Sequence, residues 1–185
     1  MDYGADKNEN ALEESGIQQH QFYDLVICFC CATAAAILIA FLKKPIGGIR
    51  AEEYLELAKT LYTTGNYESI LRPPGYYGFL SLIIAIDESI LRGNYQAVII
   101  TQSILHGITT VIIREELGWK ANNQGSQLLA LSYGLSSVAL INTGFYHYDT
   151  LHIFLLVLSA ASIRRAHRYS SWLYTLSAGV VLGVL

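Results

Sequence analysis

Gly48-Ile49-Arg50-Ala51-Glu52-Glu53-Tyr54-Leu55-Glu56-Leu57-Ala58, continuing through Gly65-Asn66-Tyr67 to Arg72-Pro73-Pro74-Gly75-Tyr76-Tyr77-Gly78, is a polar and aromatic stretch set between long apolar segments. Ala51, Tyr54, Leu55, Ala58, Leu61 and Tyr62 recur at spacings of three and four. Glu52, Glu53, Glu56, Lys59 and Thr63 fill the other side, with Leu57 the exception. That pattern predicts an amphipathic helix of about three turns. Gly65 is placed to end it, because glycine takes the left-handed conformation cheaply. Pro73-Pro74 forbids helix through Arg72 and lets a new helix start at Gly75. The apolar run that follows, 75–86, has twelve residues. Crossing ~30 Å of hydrocarbon takes about 20. Residues 74–91 are therefore expected to dip into a membrane interface; the alternative is an ordinary span with a poor end.

The rest of the chain supplies the membrane. Of 185 residues, 52% are hydrophobic and only 15% charged, against about 25% charged in soluble domains. The charges are unevenly placed and leave long uncharged runs. The expected class is all-α integral membrane, with one domain as the prior for this length. A net charge of −3 and the lack of a clustered basic face argue against nucleic-acid binding. Cys28, Cys30 and Cys31 share the first apolar run. They read as packing residues, since a zinc site needs a second ligand pair.

Residues 1–23 are polar and acidic and are expected to form a disordered tail. They lack the positive start and small-residue cleavage site of a signal peptide. About five transmembrane helices follow, at 25–42, 95–113, 127–142, 149–163 and 172–185, with an external loop at 43–94 after the first. Residues 114–124 read as a short polar loop and 142–148 as a turn rich in aromatic and polar groups. His106, in the middle of the second span, is expected to make a hydrogen bond between helices.

Tyr54 through Tyr67, followed by Arg72-Pro73-Pro74-Gly75-Tyr76, resembles the first external loop of the GT-C membrane glycosyltransferases. The nearest branch is the one of aminoarabinose transferases, protein mannosyltransferases and dolichyl-phosphate-mannose-dependent enzymes. The shared order is acidic residue, aromatic, amphipathic turn, Gly-x-aromatic, then a basic residue before a proline pair. A weaker likeness continues to residue 185, so 24–185 resembles the N-terminal part of such a domain. The resemblance implies transfer of a sugar from a polyprenyl-phosphate carrier at the extracytoplasmic face of a multi-pass protein. It implies that Arg72 contacts the lipid phosphate and that Asp149 is the acidic residue opening a later span. One departure stands out. The family's catalytic Asp sits four residues before the aromatic, where this chain has Arg50. Glu52 and Glu53 are the nearest carboxylates, and a shift of two or three places turns a side chain about 200–300° around a helix. Family members have more spans, so the chain is expected to be a shortened form.

Each of these residues has a functional and a plainer reading. Glu52 or Glu53 could deprotonate an acceptor if burial raised its pKa; both also suit the first turn of a helix as negative charges. Arg72 could grip phosphate in a bidentate way or snorkel to headgroups, and Arg50 could hold phosphate as well. Asp149 and His152, three apart, share a helix face, while His147 points elsewhere. They line a cavity or belong to an interfacial belt with Tyr146 and Tyr148. As ligands for a divalent metal they are a thin set, and no cofactor is expected. Tyr54 and Tyr76, with Tyr62, Tyr67 and Tyr77, could stack on substrate or sit at headgroup level. The expected partners are a polyprenyl-phosphate carrier and membrane lipids. The alternative function is a non-catalytic subunit or lipid-phosphate binder built on the same scaffold.

Charge placement bears on the dip. If 74–91 crossed with the N-terminus inside, only Lys7 and Arg92 of the twelve Lys and Arg would be inside, against the positive-inside tendency. If 74–91 dips, the split is even, and residues 142–149 fall on the same side as the 43–94 loop. An N-outside arrangement with a full span fits the charges better. The dip is preferred for the segment's length and for the resemblance.

Overall fold

The computed structural model describes residues 5–43, 49–66, 74–90, 96–118, 123–143 and 149–184. Among them the chain is all-helical: α1 Ala5–Lys43, α2 Ile49–Thr64, α3 Pro74–Ile90, α4 Gln96–Gly118, α5 Asn123–Gly134, α6 Ser137–Thr143, α7 Asp149–Tyr169 and α8 Trp172–Val184. Two segments, His20–Leu42 of α1 and Gln96–Leu117 of α4, are long and apolar enough to cross a membrane. Gly75–Ile86 and Trp172–Gly183 are shorter apolar helices. The other spans expected from sequence differ for separate reasons. The third is divided into the short helices α5 and α6, and α7 carries Asp, His, Ser and Arg along its length. Helix α1 already begins at Ala5, where the sequence reading expects a tail without structure. The expected polar loop at 114–124 is also different at its start, because Arg114, Glu115 and Glu116 complete the last turns of α4.

Helix α4 is the centre of the bundle and touches α1, α3, α5, α6 and α7. Its fit against α1 comes from small residues. Cys28, Ala32, Ala36 and Ala40 recur every four residues on α1 and are fully buried, or nearly so. On α4, a Cβ added at Gly107 would collide with Thr33 Oγ1 and press on the Phe29 ring. Gly134 of α5 fills the third corner, where an added Cβ would lie 3.0 Å from Ala32 Cβ and from Thr110. Close backbone approach of this kind maximises dispersion contact where there is little polar area to exclude.

The buried face of α4 is largely polar from Gln102 onward. Gln102, Ser103, His106, Thr109, Thr110 and Arg114 of α4 are buried. Val26, Ile27, Leu38, Leu128, Leu156 and Leu176 face outward. His106 Nε2 and the Gly134 carbonyl are 2.9 Å apart, which is the interhelical hydrogen bond expected of a mid-span histidine.

Directions follow from contacts at the two ends. Arg114, in the last turns of α4, donates to Asp24 of α1 at 3.0 Å, so α1 and α4 are antiparallel. Arg165 of α7 donates to Glu115 at 2.6 Å and to Glu116 at 3.2 Å. Arg164 stands 3.4 Å from Glu116. Helices α4 and α7 therefore run parallel, their C-terminal turns tied by ion pairs. Helices α5 and α6 form the return leg between them. Ser170 makes the α7–α8 turn at φ 49°.

At the opposite end, Ala40, Tyr54, Ala58, Tyr76, Tyr77, Leu80, Ile84, Ala97, Val98 and Leu151 form one buried cluster. Five of the eight helices meet there.

Candidate functional site

The aromatic loop builds its own platform. Among the described side chains of α2, Tyr54 and Ala58, one turn apart, are buried, with Leu55, Leu57 and Leu61 partly buried. Glu53, Glu56 and Lys59 are exposed. This is the amphipathic pattern expected from the spacing, except that Tyr62 is exposed and Leu57 packs against the core. The helix ends as expected too: Gly65 adopts φ 71° and its amide donates to the Leu61 carbonyl at 2.9 Å. The hydroxyls of Thr60, Thr63 and Thr64 fold back onto carbonyls of the preceding turn. Helix α3 starts at Pro74, where a missing amide costs nothing.

Helix α3 does not run the length of the bundle. Tyr76, in its first turn, accepts a hydrogen bond from Gln102 Nε2 at 3.3 Å. Tyr76 is thus level with the second turn of α4. Only residues 91–95 lie between α3 and Gln96. At ~3.6 Å per residue they reach about 22 Å. A helix of 17 residues descending alongside α4 would put its end about 30 Å from Gln96. Helix α3 must therefore return toward the end of the bundle where α4 begins. Its residues Leu80, Ile83 and Ile84 share the cluster with Ala97, Val98 and Ile99.

The rings are packed together. Tyr54 lies edge-on to Tyr76 at 5.4 Å between centroids and tilted over Tyr77 at 5.4 Å. Phe79 stacks on Tyr76 at 6.1 Å. Tyr54 and Tyr76 are only 5% and 6% exposed, so their rings join α2 to α3 and present little surface to a ligand. Burial above all, with Tyr54 and the Asp149 carboxylate adding, holds the Tyr76 hydroxyl well above the ordinary tyrosine range, although the hydrogen bond from Gln102 pulls the other way. Tyr76 therefore remains a neutral phenol, able to donate as well as accept.

Asp149 opens α7, where a negative charge suits the helix dipole. The membership of Leu151 in the aromatic cluster puts the start of α7 beside the loop. Asp149 and His152 are both half-buried, and Thr150 between them is buried. Of the residues singled out in the sequence, Tyr54, Tyr76, Asp149 and His152 are thus gathered at one end. Glu53 is on the same helix as Tyr54 but points outward. The side chains of Arg50 and Glu52, and Arg72 and His147 altogether, lie outside the described residues. Among the described residues no three His, Cys, Asp or Glu groups gather as a metal site.

Sequence reasoning missed Gln102 as a member of this site and Tyr77 as its most buried ring. Gln102 could have been found, because an amide in an apolar run must face a polar partner. Tyr77 carried no signal that separated it from Tyr76. Comparison of the chain with protein-family models, with curated proteins and with solved structures gives no match.

Proposed function

We propose that this chain is a multi-pass integral membrane protein that binds a polyprenyl-phosphate at the end of the bundle formed by α2, α3 and the start of α7. The outward apolar faces and inward polar side chains suit a hydrocarbon surround. In this reading the return leg of α5 and α6, together with α7 and α8, completes the crossing helices. The end carrying Arg164, Arg165 and Arg168 is the cytoplasmic one, and the aromatic end faces away from the cytoplasm.

The reaction proposed at that end is transfer of a sugar from the carrier lipid to an acceptor. Arg72, with Arg50, neutralises the phosphate as the sugar leaves. Glu52 or Glu53 replaces the aspartate usual in GT-C loops, and Asp149 and His152 line the acceptor side. The observation that carries the reading is the packing of Leu151, in the first turn of α7, into the same buried cluster as Tyr54 and Tyr76 of the loop. One observation favours the second reading, lipid-phosphate binding without transfer: Tyr54 and Tyr76 are closed into packing and Glu53 faces outward.

The test is a transfer assay on protein reconstituted in liposomes with a polyprenyl-phosphate donor carrying labelled sugar. Under the enzyme reading label leaves the donor, and Arg72→Ala lowers kcat/KM by about 100-fold. The double change Glu52→Ala/Glu53→Ala abolishes turnover while donor binding persists. Binding that depends on Arg72 without any transfer selects the second reading. Absence of both binding and transfer rejects the two together.

A further inference from the structure

The hairpin of α7 and α8 brings arginines and exposed rings to one corner of the bundle. Arg164 and Arg168 are four residues apart, on one face of α7. Arg165, a step round the helix, is closed by Glu115 and Glu116. Arg164 is more open: Glu116, 3.4 Å from it, already accepts from Arg165, and its side chain is 44% exposed. Arg168 is exposed, with its guanidinium 5.2 Å from the centre of the Tyr169 ring. That ring leans on Tyr174 at 6.0 Å between centroids. Tyr169 and Trp172, on either side of the turn at Ser170, are both largely exposed. Beyond the turn, Leu173, Leu176 and Val180 are exposed at spacings of three and four, an apolar stripe that leads away from the arginines along α8.

The local charge is positive. Among the described side chains at this end, Arg114, Arg164, Arg165 and Arg168 stand against Asp24, Glu115 and Glu116. Helix α1 runs outward past Asp24 to Ala5 and carries Asp6, Glu9, Glu13 and Glu14. Even Glu14 is ten residues from Asp24, ~15 Å along the helix, beyond a screening length of ~8 Å at physiological salt. The arginines therefore set the field at the turn.

From this we infer that the corner holds an anionic phospholipid of the leaflet at that end. Arg164 and Arg168 take the headgroup phosphate and its net negative charge, Tyr169 and Trp172 sit at headgroup level, and an acyl chain lies along the stripe of α8. A guanidinium grips phosphate oxygens through paired N–H donors, and amphipathic rings favour the headgroup layer. A zwitterionic lipid brings its own cation and gains less from two arginines. Each arginine near the surface should enrich the acidic lipid about fivefold. The inference rests on the membrane reading and is independent of sugar transfer at the opposite end.

The experiment uses the full chain with Trp119→Phe, which leaves Trp172 as the single tryptophan. The protein is reconstituted in phosphatidylcholine vesicles carrying a minor fraction of brominated phosphatidylglycerol or of brominated phosphatidylcholine. A carbonate wash comes first; release of the protein would reject the membrane reading and the inference with it. In protein that is retained, brominated phosphatidylglycerol should quench Trp172 more deeply than the same fraction of brominated phosphatidylcholine. Arg168→Gln should raise the phosphatidylglycerol fraction needed for half-quenching about fivefold, without lowering the thermal midpoint in phosphatidylcholine alone. Arg168→Lys, which keeps the charge, should shift it less, and Arg164→Gln/Arg168→Gln should remove the preference. Equal quenching of the retained protein by the two lipids would overturn the inference and leave the membrane reading standing. So would added inorganic phosphate that abolishes the preference, because the site would then take a free anion.

Discussion

Gly107 and Tyr76 show how much single positions carry. At Gly107 the backbone of α4 meets the side chain of Thr33 with no room between them. Gly107→Ala should force α1 off α4 and destabilise the protein by about 1–3 kcal/mol, read as a lowered thermal midpoint in detergent. Gly78, where an added Cβ meets nothing, is the control: Gly78→Ala should be neutral or slightly stabilising, because alanine is the better helix former. At Tyr76 the ring and the hydroxyl separate. Tyr76→Phe removes the acceptor for Gln102 and should cost about 1 kcal/mol. Tyr76→Ala opens a cavity between α2 and α3 and should cost about 3–5 kcal/mol. Sequence alone left the tyrosines undecided, because a ring that packs on another ring and a ring that stacks on a sugar have the same composition and spacing.

Elements were legible in proportion to how local their causes are. Helix α2, its stop at Gly65 and the start of α3 at Pro74 depend on neighbours within one turn, and the sequence shows all three. The break between α5 and α6 depends on His106, Ala32 and Thr110 from other helices, so the run 127–142 reads as one span. The ion pairs were hidden for the same reason: Arg114 and Asp24 are 90 positions apart, and Arg165 and Glu115 are 50 apart. The Arg114 side chain is 6% exposed, and breaking a buried pair leaves an uncompensated charge. Asp24→Asn should therefore cost about 3 kcal/mol, somewhat less than a fully dry pair because Asp24 keeps contact with solvent. The double change Asp24→Leu/Arg114→Met should recover most of that loss, measured by unfolding in a common detergent. If the double variant is as unstable as the single one, the pair is not what joins α1 to α4 at that end.

At the scale of the whole molecule, two ends with different chemistry define the protein. Carboxylate–arginine pairs hold α1, α4 and α7 together at one; rings and small apolar residues hold α2, α3, α4 and α7 at the other. The all-helical class and the inward polar stripe of α4 were legible from hydropathy and from polar residues inside apolar runs. The joining of the aromatic loop to Asp149 rested in the sequence on the length of 74–91 and on the resemblance. It depends on α3 packing Leu80, Ile83 and Ile84 against Ala97, Val98 and Ile99 at the start of α4. The most direct measurement is side-specific labelling of single cysteines with an impermeant maleimide, in sealed vesicles of otherwise cysteine-free protein. Thr63→Cys at the end of α2 and Asp149→Cys at the start of α7 should react from the same side, and His167→Cys only from the other. Reaction of Thr63→Cys and Asp149→Cys from opposite sides would contradict the account.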